Sequence, residues 1–458
     1  MAALGLGPVR NEFEGAELGD ERLGSRLVRI AQALESDPAG GFPRAMRSDA
    51  ELEGLYRFIN NQRFSADDII APHQERTFER AREAGEVLAI HDSSYFMSAK
   101  QAPRREVGIT SVVGARGFIA HVSLVATLEG TPLGLGYIET LVRTGTKMRK
   151  PKRREQKVTT RWLRSVEAID AEVKATHVID AEGDFFELLE AIQKAGARFV
   201  IRAGHLSRVV ECNGIRGNLA AVVAGIKPRV FRKIELGERR YVESLRGPHS
   251  RTKHPRRDAR TASVAISSGQ LQLRAPRSLG TSDELLVNVV RVWEPNPPRG
   301  QPPVEWVLLT NEDISSTDGL KRVVDIYRKR WLTEEYFKAL KTGCSLEKRQ
   351  VASFDALRKV LALLAPIAYR LLLLRALHRQ AANAPASAGF SKVDLDLIAG
   401  AQLPPTSRPK TLEQAYLLLA RLGGHIKNNG PPGWLTLAAG YEVLLILRLG
   451  WFLGREFA

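Results

Sequence analysis

Apolar positions along the chain change their spacing from one region to the next, and each spacing predicts a kind of element. In residues 1–70, Leu23, Leu27, Ile30 and Leu34 recur at helical spacing, and so do Leu52, Leu55, Tyr56 and Ile59. Asp37-Pro38-Ala39-Gly40-Gly41 separates the two runs, because proline and glycine stop regular structure. From about residue 86 the period changes. Residues 87–90 read as a strand with Phe96 after it, and residues 121–127 and 132–138 read as two more, joined at Glu129-Gly130. Residues 158–174 predict a helix, 176–179 a strand, 185–194 a helix and 198–202 a strand.

Three strands followed by alternating helix and strand predict an α/β core of the ribonuclease-H type. The alternation stops at 205–303, where short β-like runs such as 264–266 and 285–292 predict a β-rich insertion. It resumes with a strand at 304–309 and a long helix from about Thr317 into the 340s. Residues 383–410, rich in Ala, Pro and Ser, read as a linker, and helices follow on either side of Gly430-Pro431-Pro432-Gly433. The expected organisation is a helical domain at 1–70, a ribonuclease-H-like core with its insertion at 71–382, and a linker with a helical domain at 383–458.

A chain of 458 residues exceeds one ordinary core, which agrees with several domains. Its net charge of +17 favours a polyanionic partner such as nucleic acid. Basic residues crowd two stretches, 143–157 and 246–260, and Arg22, Arg26, Arg29, Arg44, Arg47, Arg57 and Arg63 dot the first helices. That helical region reads equally as a solvated bundle or a small DNA-binding domain. Cys212 and Cys344 are the only cysteines, which excludes a close-spaced zinc pattern and fits a reducing cytoplasm. The first residues turn acidic before a signal-peptide core can form. The most apolar stretch, 360–377, contains Pro366 and Arg370, so it predicts a buried helix and no membrane span.

Three acids stand out by position. Asp92 follows the run 87–90, Asp180 ends the strand at 176–179, and Glu334 lies on the long helix. Carboxylates at adjacent strand ends, faced by one from a helix, make an oxygen-rich site for Mg²⁺ or Mn²⁺. Two such ions suit phosphodiester chemistry. The plainer readings are an Asp that caps a turn and a Glu paired with a neighbouring Arg. Glu182 and Asp184 compete with Asp180, and Asp184 is the better helix cap. His91 beside Asp92 hints at a His-Asp phosphohydrolase, but the further histidines of such a site are not visible.

The helix around Glu334 weighs between these readings. Tyr327, Arg330, Glu334 and Lys341 stand at the spacing of the Tyr-Arg-Glu-Lys signature, and the chain here resembles the insertion-sequence-four family of transposases, its transposon-five type above all. The likeness extends through Tyr56-Arg57-Phe58-Ile59, 88–94, 180–184, Asn296-Pro297-Pro298, 306–310, 338–343 and 420–424. It thus spans nearly the whole chain.

The resemblance implies that Asp92, Asp180 and Glu334 form the metal-binding catalytic triad. It implies that Tyr327, Arg330 and Lys341 hold DNA phosphates. Offsets of three, four and seven residues share one helix face, which suits that role. Trp306 resembles a tryptophan that stacks on a flipped base during hairpin formation, its plainer reading being a core residue of a strand. The implied activity is cut-and-paste transposition of double-stranded DNA. Each transposon end is nicked, closed into a hairpin, reopened and joined to target DNA by a homodimer. A shorter N-terminus and the composition of 383–410 depart from the family pattern. The competing readings are a ribonuclease-H-like nuclease without strand transfer and a non-enzymatic DNA-binding derivative.

Overall fold

The computed structural model describes residues 7–97 except 47, 108–109, 116–142, 160–237 except 213, 242–245, 251–254, 257–380 except 277–278 and 281–282, and 382–456 except 427–429. The basic stretch 143–157 lies outside the described residues, as do 246–250 and 255–256 of the second one.

The chain opens with four helices: α1 (Glu21–Ser36), α2 (Phe42–Ala45), α3 (Asp49–Ile59) and α4 (Ala66–Ala84). Their starts follow local chemistry. Asp20 accepts from the Arg22 N–H, Ser48 from the Glu51 N–H, and Ser65 forms a reciprocal cap with Asp68. Then come β1 (Val87–Met97), β2 (Gly108–Ile109), β3 (Arg116–Thr127), β4 (Pro132–Leu141), α5 (Thr160–Asp170), β5 (Ala175–Ile179), α6 (Phe186–Lys194) and β6 (Arg198–Arg202). β1 pairs antiparallel with β3, and β3 with β4. β1 pairs parallel with β5, and β5 with β6. The order β4-β3-β1-β5-β6 fits the ribonuclease-H-like fold class that the sequence predicts.

The insertion contributes β7 (Val209–Cys212), β8 (Ile215–Asn218), α7 (Leu219–Ala224), β9 (Val230–Leu236), β10 (Val242–Leu245), β11 (Arg251–His254), β12 (Arg260–Arg274) and β13 (Glu284–Trp293). β14 (Glu305–Thr310) then pairs antiparallel with both β13 and β6. Most of the insertion therefore extends the core sheet, while β10 and β11 form a two-stranded sheet of their own. α8 (Thr317–Arg328) and α9 (Trp331–Lys338) follow, with a wide helical turn at Ala339–Gly343. The helix expected to run unbroken from Thr317 is thus interrupted at Lys329 and Arg330.

The chain ends with α10 (Phe354–Gln380), α11 (Lys392–Gly400), α12 (Leu412–Leu422) and α13 (Trp434–Glu456). The stretch read as a linker carries α11, which a reciprocal Ser391–Asp394 cap starts. α10 is long and apolar enough to cross a membrane by composition, yet it is the buried centre of a core that α1, α3, α12 and α13 share. The helices at the two ends of the chain are therefore one packed body around α10. α12 and α13 approach through glycines: a Cβ on Gly423 would meet the Thr436 carbonyl oxygen at 2.0 Å, and one on Gly440 the Leu419 carbonyl oxygen at 2.0 Å.

Candidate active site

β1 is longer than its apolar run predicts, because it stays paired with β3 as far as Met97. Its pairing with β5 stops at His91–Ile179. Asp92 is therefore mid-strand, at the notch where its neighbour ends. Asp180 is the first residue beyond β5 and accepts from the Glu182 N–H at 2.9 Å. Strand alternation puts Asp92 on the sheet face of Ile90, and Asp180 on that of Val178, both of which pack toward α8.

α9 closes the third side. Thr333 Oγ1 donates to Asp92 Oδ2 at 3.2 Å. Arg330 Nη1 lies 3.5 Å from the same oxygen, and Arg330 Nη2 donates to Glu334 Oε1. Arg330, at the interruption before α9, thus reaches both acids. Glu335, the next acid, is turned into the helical core, 3.4 Å from Arg375 and 3.2 Å from Lys338. Burial pushes the Asp92 carboxyl up to about 7; Arg330 opposes this, and Asp180 and Glu334 add to it. Crowded carboxylates of this kind suit a hard divalent cation with oxygen ligands. Arg330 now supplies the positive charge between two of them. Among the described residues, no three His, Cys, Asp or Glu side chains are grouped to share an ion.

The competing acids separate clearly. Asp184 is buried and accepts from the N–H groups of Gly204 at 2.7 Å and His205 at 3.0 Å, with Arg208 at 2.7 Å. It holds a loop. Glu182 is half exposed and pairs with Arg161 at 2.9 Å. His91 is fully buried on the opposite sheet face, 2.8 Å from His177, which excludes it from the acidic notch.

The Tyr-Arg-Glu-Lys residues occupy different elements. Tyr327 is the buried end of α8; burial raises its pKa, and a side-chain hydrogen bond from Arg202 opposes the rise. Lys341 sits in the wide turn, where its Nζ donates to the Tyr95 carbonyl at 2.6 Å above the Phe96 ring. Burial lowers its pKa, with Glu347 opposing. Trp306 on β14 is partly buried and meets the Tyr327 ring edge-on, centroids 5.6 Å apart. Its ring packs against the rim of the core.

Sequence reasoning missed Arg202, Thr333 and Arg161. Thr333 adjoins Glu334 in the signature helix and could have been found there. Arg202 and Arg161 carry no local signal.

A ribonuclease-H-like sheet with one acid inside β1, one just beyond the adjacent β5 and one on α9 defines the class. Residues 99–369 match the family described as transposase DDE domain, a stretch that includes Asp180 and Glu334 and begins beyond Asp92. The chain belongs to this family of DDE transposases. Residues 8–64 match the family described as transposase DNA-binding. Among solved structures, the chain is similar to the piggyBac transposase in its cryo-EM synaptic complex with hairpin DNA. The identity is 11% and the TM-score 0.34, over 79% of this chain and 66% of that one.

Proposed function

We propose that this chain is a cut-and-paste transposase of the insertion-sequence-four family, transposon-five type, acting on double-stranded transposon ends and target DNA in the cytoplasm. The observation that supports the reading is Arg330 reaching both Asp92 and Glu334 beside the notch where β5 stops, with Asp180 near enough to push the Asp92 carboxyl up. In it the three acids hold Mg²⁺ or Mn²⁺, most simply as two ions. Bound there, the ions supply the polarisation that in-line displacement at phosphorus needs.

The chain's own residues hold the DNA. Arg330 lies between two carboxylates, placed to pass from them to a phosphate. The Tyr327 hydroxyl, with Arg202 beside it, and the Lys341 ammonium supply further donors for the cleaved strand. Trp306, edge-on to Tyr327, offers a ring to a base turned out of the stack, a contact worth ~1–3 kcal/mol. Exposed Arg22, Arg26, Arg29 and Arg57 on α1 and α3 serve end recognition. The steps are a nick, hairpin closure, reopening and joining by a homodimer.

The test is incubation of purified protein with the DNA ends that flank its gene, in Mg²⁺ and in EDTA. Nicked, hairpin and joined products are expected with Mg²⁺ only. Nicking without any joined product would favour a plain nuclease, and no Mg²⁺-dependent product at all would overturn the reading. Trp306→Ala should spare the first nick and slow hairpin closure roughly 5- to 150-fold, the rate equivalent of the lost stacking.

A further inference from the structure

We infer that Arg161 is a positioning residue that sets how the Asp92 and Asp180 carboxylates face each other. It does so from the far side of the sheet, through the two residues whose backbone N–H groups orient those carboxylates. The inference rests on the reading of both aspartates as metal-binding groups.

The Ser93 N–H donates to Asp92 Oδ1 at 2.7 Å, and the Glu182 N–H donates to Asp180 Oδ1 at 2.9 Å. Arg161 grips the side chains of both donors. Its Nε donates to Ser93 Oγ at 2.9 Å and its Nη2 to Glu182 Oε2 at 2.9 Å. The guanidinium is planar, so two bonds from one fork fix the distance between their acceptors. Its side chain is 5% exposed. α5 presents it, and its guanidinium carbon lies 5.1 Å from the centre of the Trp162 ring.

The clamp is itself anchored. Ser93 Oγ lies 2.9 Å from His121 Nδ1, and His121 Nε2 lies 3.0 Å from Ser165 Oγ. Ser123 and Ser165 reach His91 Nδ1 at 2.8 and 3.0 Å, and His91 Nε2 reaches His177 Nδ1 at 2.8 Å. His177 Nε2 ends the chain at Asp170, 2.9 Å away. This seam ties β1, β3, β5 and α5 together in the interior. Helix-on-sheet packing alone needs only apolar side chains, as α6 shows with Phe186, Leu188, Leu189 and Ile192. Burying a polar chain has a cost unless every member is paired, and such a chain then fixes one geometry.

The test is Mn²⁺ binding to the full-length protein without DNA, by calorimetry, beside thermal melts in EDTA. Ser93→Ala and Glu182→Gln should each weaken binding at least about 10-fold, the usual effect of losing a group that orients a ligand. Ser93→Thr, which keeps the hydroxyl, should bind as wild type. In an Arg161→Gln background the first two changes should add no further loss. Should Arg161→Gln not fold, the single variants still decide, since Glu182 is half exposed. Wild-type Mn²⁺ curves for Ser93→Ala and Glu182→Gln would overturn the clamp, as would losses that merely add in the Arg161→Gln background. Asp92→Asn separates the two layers. If it also binds Mn²⁺ as wild type, the metal-site reading fails and the clamp falls with it. If it alone loses binding, only the clamp fails.

Discussion

Arg370 Nε donates to Glu35 Oε1 at 2.7 Å, and both side chains are buried. Tyr441 completes a triad, accepting from Arg370 Nη2 at 3.2 Å and donating to Glu35 Oε1 at 3.0 Å. One polar contact thus joins α1, α10 and α13. Deleting one partner strands a buried charge, which costs about 3–5 kcal/mol. Glu35→Ala should lower the unfolding free energy by that amount in urea melts. A midpoint like that of the wild type would mean that the two ends of the chain are not held through this contact.

The second buried network sits between α4, β4 and α10. His73 Nδ1 lies 2.6 Å from Glu12 Oε2, and His73 Nε2 accepts from the Leu135 N–H at 3.0 Å. A second proton on the ring would break the Leu135 bond. Burial lowers the His73 pKa by more than Glu12 raises it. Burial raises Glu12, but His73 and Arg80 outweigh it and leave Glu12 far below the carboxylate range. A histidine lowered in the fold contributes stability present above pH 6.5 and lost as pH falls. The depressed Glu12 acts in the same sense below pH 4.5. His91 and His121, also held neutral by burial, add to the first window. Stability should therefore fall from pH 7 to 5, with at most about 1.4 kcal/mol per pH unit from each histidine. His73→Gln should flatten that slope by one proton in denaturant titrations. An unchanged slope would contradict a neutral His73.

Asp180 and Asp184 should respond oppositely to the same chemical change. Asp180→Asn leaves the fold intact and should cut nicking by more than the roughly 10- to 100-fold cost of losing a supporting group. Asp184→Asn weakens the contacts to Gly204, His205 and Arg208, so it should lower the melting temperature with a smaller loss of nicking. Cleavage and melting assays on both variants decide. Full loss of nicking in well-folded Asp184→Asn, with Asp180→Asn active, would reverse the assignment.

Much of this site was legible because its acids sit where the pattern changes period. The strand before Asp180 and the signature around Glu334 are local features, and the ribonuclease-H-like fold class follows from the alternation of elements. What was not legible depends on partners distant in sequence. The length of β1 is set by pairing with β3, so Asp92 looked like a strand end. No glycine or proline announces the interruption at Lys329 and Arg330, where Arg330 contacts Asp92 and Glu334. His91, His121 and His177 are far apart in sequence, and only the sheet brings them into one seam. α11 was hidden by the Ala- and Pro-rich composition around it.

α13 buries only part of its surface. Trp434, Leu437, Ala438, Tyr441 and Leu444 pack into the shared core. Beyond them, Ile446, Phe452 and Leu453 are 56%, 57% and 43% exposed. Single exposed apolar residues are ordinary, but a group of them on one helix marks a contact surface. Ile446 and Leu453 are two helical turns apart and share a face. The helix is apolar enough to cross a membrane by composition. Its N-terminal half, however, is already committed to α10 and α12, with Tyr441 bonded to Glu35. On the proposed reaction, in which two ends are cut together, a second copy of the chain is the occupant expected for the remaining half. Truncating α12 and α13 would open the shared core, so surface changes are the informative ones. Ile446→Lys combined with Phe452→Glu should leave the melting temperature and single-end binding unchanged. The same protein should fail to form a paired-end complex in a native gel and should not cleave. Paired complexes at wild-type protein concentrations would remove α13 from the dimer contact.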